Sequence, residues 1–174
     1  MSQQLGGSAV AVAPKRAAES ATEMVQVVLP NDANPLGFIL GGTVMHLIDI
    51  AGAIACHRHT RSLLVTAAVD GLQFLHPIKV GDMIILKARV TAAWSTSLEV
   101  EVEVFSEETL TGLRRMTSRA YLTFVATDRD GTRMRIPALI LETEEERQRA
   151  AEAEVRRAQR LEARRLLEER LARA

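Results

Sequence analysis

The sequence predicts an α+β fold in which a curved antiparallel sheet wraps around one long helix and a second, charged helix follows. Three observations lead to this prediction. A single long apolar segment, residues 43–57, contains no proline and is typical of a helix. Four strand-like stretches follow it in short succession. One helix cannot cover both faces of a flat five-stranded sheet, but a curved sheet can wrap around it.

Turn-forming residues delimit the predicted strands. A short β-prone run at residues 24–29 is ended by Pro30 and Asn31. The four later strands are predicted at residues 63–74, 83–93, 97–105 and 114–127. The third of these alternates between apolar residues and glutamates, which predicts one buried and one solvated face. The face expected to be solvated carries Glu99, Glu101 and Glu103.

The predicted central helix is apolar around its whole circumference. Its main stripe consists of Val44, Leu47, Ile48, Ala51 and Ala55, and much of the remainder is also apolar. A helix that is apolar on all sides is buried on all sides. One sheet covers only one side, so we expect a second copy of the protein to cover the other, with Asp49 near the interface.

The two ends of the chain differ in composition from its middle. We predict a flexible N-terminal tail at residues 1–22, a compact domain at 23–140, and a charged helix at 141–174. Many Glu and Arg residues in the last segment are three or four apart, which favours a long solvated helix. A partner-binding helix is the alternative, although its apolar residues form no steady heptad. They are Val155, Leu161, Leu166, Leu167 and Leu171.

Composition excludes several classes of function. Lys+Arg and Asp+Glu balance at 22 each and aromatic residues make up 3%, so neither a basic footprint nor a stacking surface for nucleic acid is expected. Cys56 is the single cysteine, which fits a reducing compartment. No apolar run has the length of a membrane span, and the short apolar run near the N-terminus lacks a preceding positive charge. We therefore predict a cytoplasmic protein that binds neither nucleic acid nor membranes.

The most informative residues for function lie in a Gly-rich loop and the helix after it. An ionised carboxylate such as Asp49 is costly in an apolar helix unless it is paired or used. The helix start at Gly41 and Gly42 offers backbone N–H groups to an oxygen anion. Together they suggest a site where a carbonyl is polarised and attacked, with Asn34 positioning water or the carbonyl. The structural alternatives are a paired buried carboxylate, a tightly packed helix entry and a turn residue.

Other catalytic and metal-binding roles have weaker support in the sequence. His46 lies three residues before Asp49 and could form an acid–base couple with it, but a partly exposed polar histidine near the helix start is the favoured interpretation. Cys56 follows Ala55 and lies deep in the predicted helix, so it is interpreted as a core residue. No metal-ligand cluster has suitable spacing, and a Gly-x-Ser-x-Gly elbow is absent, so we predict no metal or cofactor.

An ordered set of short motifs carries a family resemblance. The set comprises residues 32–37 (DANPLG), 41–42 (GG), 48–53 (IDIAGA), 65–70 (VTAAVD), 74–78 (FLHPI), 80–82 (VGD), 95–97 (STS) and 123–126 (TFVA). In this the sequence resembles the hotdog-fold acyl-CoA thioesterases, of the type of the cytosolic long-chain acyl-CoA hydrolases and their bacterial single-domain relatives. The resemblance covers about residues 24–137. Relatives often have a polar or aromatic residue where this chain has Leu40.

The resemblance implies a hotdog fold whose subunits pair through their sheets and assemble as a hexamer, a trimer of dimers. It implies hydrolysis of an acyl-CoA to a fatty acid and CoA, with Asn34 and Asp49 contributed by opposite subunits. Asp49 would act as general base or as nucleophile, and the Gly42 amide would stabilise the oxyanion. Substrate-binding positions are expected at Gly41, Thr66, Ser97 and Arg58. A hotdog enoyl-thioester hydratase and a non-catalytic acyl-CoA sensor are the alternatives, and the sequence does not fix the acyl chain length.

Overall fold

The computed structural model describes residues 13–173. It contains seven strands and two α-helices within that range. The strands are β1 (Lys15–Arg16), β2 (Thr22–Val27), β3 (Leu63–Phe74), β4 (Met83–Ala93), β5 (Ser97–Glu107), β6 (Arg114–Thr127) and β7 (Leu139–Ile140), and the helices are α1 (Gly41–Thr60) and α2 (Glu144–Ala172).

The main sheet confirms the predicted architecture. Its five strands are all antiparallel and lie in the order β2-β4-β5-β6-β3. Helix α1 contacts each of the five strands, so the sheet wraps around it. The strand with the longest free edge is β3, because β6 pairs with one side of it and no strand within residues 13–173 pairs with the other.

The central helix is longer than predicted and lies very close to the sheet. It begins at Gly41 and ends at Thr60, extending the predicted segment at both ends. A Cβ atom placed on Gly52 would lie 3.1 Å from Val100 Cγ1 and 3.2 Å from the ring of Phe124. Both neighbours are buried, so a glycine at this position permits close packing of helix and sheet.

The outer face of the sheet, which is the face turned away from α1, is covered along β5. Glu99, Glu101 and Glu103 are 0%, 2% and 8% exposed, so the prediction of a solvated face was wrong. Helix α2 lies across this face, and Ala153 in its first half is fully buried. The prediction of a helix solvated along its length was therefore also wrong for the half before residue 161.

Ordered structure begins earlier than the predicted tail boundary at residue 22. Strand β1 pairs in parallel with β7, and a 3₁₀ turn follows it at Ala17–Glu19. Ala17 and Ser20 are buried. Residues 1–12 of the predicted tail lie outside the described residues.

Helix α2 has a well-formed N-terminus. The side chain of Thr143 accepts a hydrogen bond from the Glu146 amide, and the Glu146 carboxylate accepts one from the Thr143 amide. This reciprocal pair is a capping box, which satisfies two backbone donors. Neither this helix nor α1 is long and apolar enough to cross a membrane.

Candidate active site

The start of α1 exposes backbone donors. Leu40 precedes the helix and provides no side-chain cap, and the first intrahelical bond runs from the Val44 amide to the Leu40 carbonyl at 3.1 Å. The amides of the first turn have no acceptor inside the helix. A Cβ atom on Gly42 would meet nothing within 4 Å, and one on Gly41 would meet the Phe74 ring at 3.5 Å. The space beside Gly42 is therefore open, so a ligand can approach the amides of the first turn.

The Asp49 carboxylate is held by a single side chain from the sheet. Thr66, on β3, donates a hydrogen bond from Oγ1 to Asp49 Oδ1 at 2.8 Å. Within residues 13–173, no hydrogen bond reaches the second oxygen, Oδ2. Thr66 therefore orients the carboxylate and leaves one oxygen available. The possible His46–Asp49 couple is not formed, since among residues 13–173 the Asp49 carboxylate has a hydrogen bond from Thr66 alone.

Asn34 shapes the loop before the helix. Its Oδ1 accepts hydrogen bonds from the amides of Leu36 at 3.0 Å and Phe38 at 3.2 Å. Both partners are donors, so the side-chain oxygen must face them and the Nδ2 group points elsewhere as a donor. Asn34 is thus a turn residue, which was the structural alternative. Its side-chain Nδ2 group also remains available as a hydrogen-bond donor.

A largely apolar cavity of about 360 Å³ adjoins Asn34 and the helix start. Its lining residues include Asn34, Gly41, Val44, Phe74, His76 and Ile78. Asp49 is not among them. The structure thus brings Asn34 together with Gly41, and Asp49 together with Thr66, but it does not bring the two pairs into one cavity within a single chain.

The distance along α1 explains this separation. Gly42 and Asp49 are seven positions apart on α1, which corresponds to about 10 Å of helix. An oxyanion donor and an attacking group must both lie about 3 Å from the reacting carbonyl. The sequence-based expectation that both groups of one helix serve one substrate is therefore not met by this geometry.

The two remaining predicted positions make no recorded contact with Asp49 in the described residues. Ser97 is the first residue of β5. Arg58 donates from Nη1 to the Ala21 carbonyl at 2.8 Å and to Thr22 Oγ1 at 3.0 Å, which ties the N-terminal segment to α1. Substrate-binding roles for Ser97 and Arg58 stay predictions.

Two titratable residues in α1 belong to the core. Cys56 is fully buried, and burial together with the nearby Asp49 charge raises the pKa of its thiol far above the ordinary value. The thiol therefore stays protonated and is a poor nucleophile. His59 is also fully buried, and burial lowers the pKa of its imidazole.

Sequence reasoning assigned no role to the residues that line the cavity opposite Asn34. Phe74 and His76 lie at the end of β3 and just after it, and Ile78 is buried. The available signal was an apolar strand end followed by Pro77 within one of the quoted motifs. Among residues 13–173 there is no group of three or more His, Cys, Asp or Glu side chains that could hold a metal ion.

A curved sheet around one central helix, with an acidic residue in that helix and open amides at its start, defines a hotdog-type thioesterase. The family model described as Thioesterase superfamily matches residues 36–113. The uncharacterized acyl-CoA thioester hydrolase YkhA of Bacillus subtilis is 38% identical over 128 residues, which are 74% of each chain. The chain belongs to the Thioesterase superfamily. It spans only 38% of the length of the mouse cytosolic acyl coenzyme A thioester hydrolase, to which it is 31% identical over 82% of its own residues.

Solved structures agree with this assignment. An apo-hexameric acyl-CoA thioesterase superposes with a TM-score of 0.83 at 36% identity, over 87% of this chain and 97% of that one. An acyl-CoA hydrolase from Staphylococcus aureus, in complex with butyryl coenzyme A, coenzyme A and coenzyme A disulfide, superposes with a TM-score of 0.79 at 33% identity, over 88% and 96%.

The Staphylococcus aureus enzyme has also been solved with an Asp, a Thr or an Asn replaced by alanine. Along that chain the Asn precedes the Asp by 15 residues, and the Asp precedes the Thr by 17. The same two separations relate Asn34 to Asp49 and Asp49 to Thr66 in this chain.

Proposed function

We propose that this protein hydrolyses acyl-CoA thioesters to a carboxylic acid and free CoA. The observation that carries the proposal is the Asp49 carboxylate, which Thr66 holds at 2.8 Å within the largely apolar middle of α1. Membership of the thioesterase family supports it, as do the names of the relatives. We also propose a cytoplasmic location, for which the single cysteine is the supporting observation.

Asp49 is the group that activates the attack. As a general base it would take a proton from water, which typically contributes 10²–10⁴-fold in rate. As a nucleophile it would instead form an acyl-enzyme anhydride that water then hydrolyses. The free Oδ2 serves either role, and the Thr66 hydrogen bond to Oδ1 fixes the direction in which it points.

The loop before α1 and the start of that helix stabilise the negative charge that develops on the thioester oxygen. The Gly42 amide donates to the thioester oxygen as negative charge develops on it, an interaction often worth about 3 kcal/mol. The Asn34 Nδ2 group donates to the carbonyl or to the attacking water. The cavity beside Asn34 and Gly41 is apolar, which suits an acyl chain or the pantetheine arm.

A complete site requires two subunits. The amide of Gly42 and the carboxylate of Asp49 lie about 10 Å apart along one helix, too far to act on one carbonyl. If two copies of α1 run antiparallel across a two-fold axis, Gly42 of one copy approaches Asp49 of the other. The free edge of β3 and its exposed apolar residues Val65 and Val69 are available for that pairing. Similarity to hexameric thioesterases supports further assembly of dimers into a hexamer.

The first experiment measures free-thiol release from acyl-CoAs of C2 to C18 chain length. We expect turnover by the wild type and a loss of at least about a hundredfold in Asp49→Ala and Asn34→Ala. Asp130→Ala is the matched control, because this carboxylate lies in an exposed turn outside the site, and it should retain full activity. Absence of thiol release at every chain length would contradict the proposal, and crotonyl-CoA hydration or binding without turnover would then identify one of the alternatives.

A further inference from the structure

One face of helix α2 carries a continuous stripe of side chains, with arginines in its first half and leucines in its second half. Residues on the stripe are spaced three or four apart and therefore share a face. They are Arg149, Ala153, Arg156, Arg160, Ala163, Leu167 and Leu171. The stripe does not form an apolar heptad pattern, because three of its first four positions are arginines.

The first half of the stripe is docked on the outer face of the sheet. Arg149 Nε lies 3.3 Å from Glu101 Oε2 on β5. Arg156 donates two hydrogen bonds to Glu99 on β5, at 2.8 and 3.1 Å, and its guanidinium stacks 3.6 Å from the ring centre of Tyr121 on β6. Arg156 thus neutralises the buried Glu99 carboxylate, and Arg149 adds a further cation beside Glu101, which Arg89 and Arg119 also approach.

The helix then leaves the sheet across its free edge. Arg160 Nη1 donates to Asp70 Oδ2 at 2.6 Å, and Asp70 lies on the edge strand β3. Successive contacts thus move from β5 through β6 to β3. Twelve further residues, 161–172, remain helical after Arg160, which corresponds to about 18 Å. We call this segment the α2 arm.

The arm continues the sheet-facing stripe with leucines instead of arginines. Leu167 and Leu171 are 56% and 67% exposed, although they lie on the same helix face as the docked Arg156 and Arg160. Ion pairs elsewhere on the arm, such as Arg164–Glu168, support the helix without these leucines. If the α2 arm had no partner, exposed leucines on its sheet-facing side would add nothing to its stability.

A matching apolar surface lies on the outer face of β3. Thr66 points inward to Asp49, and Leu64 packs against the core, so the alternating neighbours Leu63 and Val65 face outward. Both are 52% exposed. In a pair of copies joined along β3, the outer face of the second copy continues the surface on which α2 is docked. Leucines beyond the edge then meet apolar side chains instead of water.

We infer that the α2 arm is a dimer clasp, which packs Leu167 and Leu171 on the outer face of a second copy next to that copy's β3. This inference rests on the pairing through β3 proposed above and is independent of the chemistry at Asp49. The arginine half of the stripe anchors the helix on its own subunit. The leucine half secures the partner.

The test compares two surfaces of the same arm in the full-length protein. The variant Leu167→Glu with Leu171→Glu changes the stripe, and Leu161→Glu changes an exposed leucine on another face of the arm. Sedimentation should give a dissociation constant of the assembly raised at least about tenfold by the double substitution and within about twofold of wild type for the control. Circular dichroism should show the same helix content in all three proteins.

A cross-linking measurement locates the arm. Chains with Leu167→Cys are mixed with tagged chains carrying Val65→Cys and treated with a short bismaleimide. The buried Cys56 thiol contributes little background. Tagged–untagged pairs should form with Leu167→Cys and not with Leu161→Cys. A monomeric wild type, equal effects of the two leucine surfaces, or no difference in cross-linking would overturn the clasp. Thiol release measured on the same samples tests the proposed function separately, because a clasped dimer without turnover would contradict only the chemistry.

Discussion

At the scale of single residues, Asp49 depends on Thr66 for its orientation. The carboxylate has one hydrogen bond within the described chain, from Thr66 Oγ1 at 2.8 Å, and the surrounding part of α1 is largely apolar. A charge-assisted hydrogen bond of this kind is worth roughly 1.5–3 kcal/mol. Thr66 therefore serves as a positioning residue if Asp49 performs the attack.

This relation predicts the behaviour of two variants at position 66. Thr66→Val keeps the shape of the side chain but removes the donor, so we expect thiol release to fall by about tenfold or more. Thr66→Ser keeps the hydroxyl and should retain most of the activity. Equal activity of the Val and Ser variants would show that the hydrogen bond has no part in catalysis.

A second prediction concerns the effect of His59 on the pH dependence of folding stability. Its Nε2 lies 3.1 Å from the Pro137 carbonyl, while Nδ1 is buried without a hydrogen-bond partner in the described residues. Burial lowers the pKa of the folded imidazole, with a smaller lowering effect of Lys15, whereas the Pro137 carbonyl and Glu19 act in the opposite direction. The unfolded side chain has its usual pKa near 6.5.

Below pH 6.5 the unfolded state therefore binds a proton that the folded state does not. The free energy of unfolding should fall as the pH drops from 6.5 towards the folded pKa, by up to about 1.4 kcal/mol per pH unit. His59→Gln keeps a donor for Pro137 and cannot titrate. Urea unfolding at pH 7.5 and pH 5.5 should show a smaller loss of stability in this variant than in the wild type, and an equal loss would contradict the assignment.

Much of the candidate site could be predicted from residue types alone. An acidic residue in an apolar helix and a Gly-Gly helix start are local patterns, and both lie where the sequence indicated. The Thr66 contact joins residues 17 positions apart in two different elements. Such relations depend on distances in the folded molecule, so composition and spacing could not supply them.

At the scale of elements, α2 decides the character of the outer face of the sheet. Glu99 is fully buried, yet it accepts hydrogen bonds from Arg156 and from Thr91 Oγ1 at 2.7 Å. The alternation along β5 correctly predicted which side chains face outward. It could not reveal that a helix beginning 37 residues after the end of that strand would cover them.

This arrangement predicts a strong coupling between Arg156 and Glu99. Arg156→Met leaves the Glu99 carboxylate buried beside Thr91 alone and should lower the free energy of unfolding by roughly 3 kcal/mol. Adding Glu99→Met should restore most of the loss, because the uncompensated charge is then gone. A double-mutant cycle by urea unfolding measures this coupling.

Arg164→Met provides the matched control on the same helix. Arg164 is exposed and pairs with Glu168 on the surface, so its replacement should cost less than about 1 kcal/mol. If the Arg156→Met, Glu99→Met double variant is as unstable as Arg156→Met alone, the cost arises from lost packing and not from a buried charge.

At the scale of the whole molecule, the single chain leaves several apolar surfaces uncovered. The apolar side of α1 that carries Met45, the free edge of β3 and the leucines of the α2 arm all remain exposed. Apolar residues around the full circumference of α1 predicted such a partner from the sequence. The separation of Gly42 from Asp49 gives the same conclusion from catalytic geometry.

Mixing two inactive variants tests this composite site most directly. When Asn34→Ala and Asp49→Ala chains are co-refolded, half of the dimers are mixed. Each mixed dimer places both substitutions in one site and leaves the other site intact. Thiol release from an acyl-CoA should therefore recover to about a quarter of the wild-type rate, although each variant alone is nearly inactive. A mixture that forms mixed dimers but remains as inactive as its components would contradict a thioesterase site built from Asn34 of one subunit and Asp49 of the other.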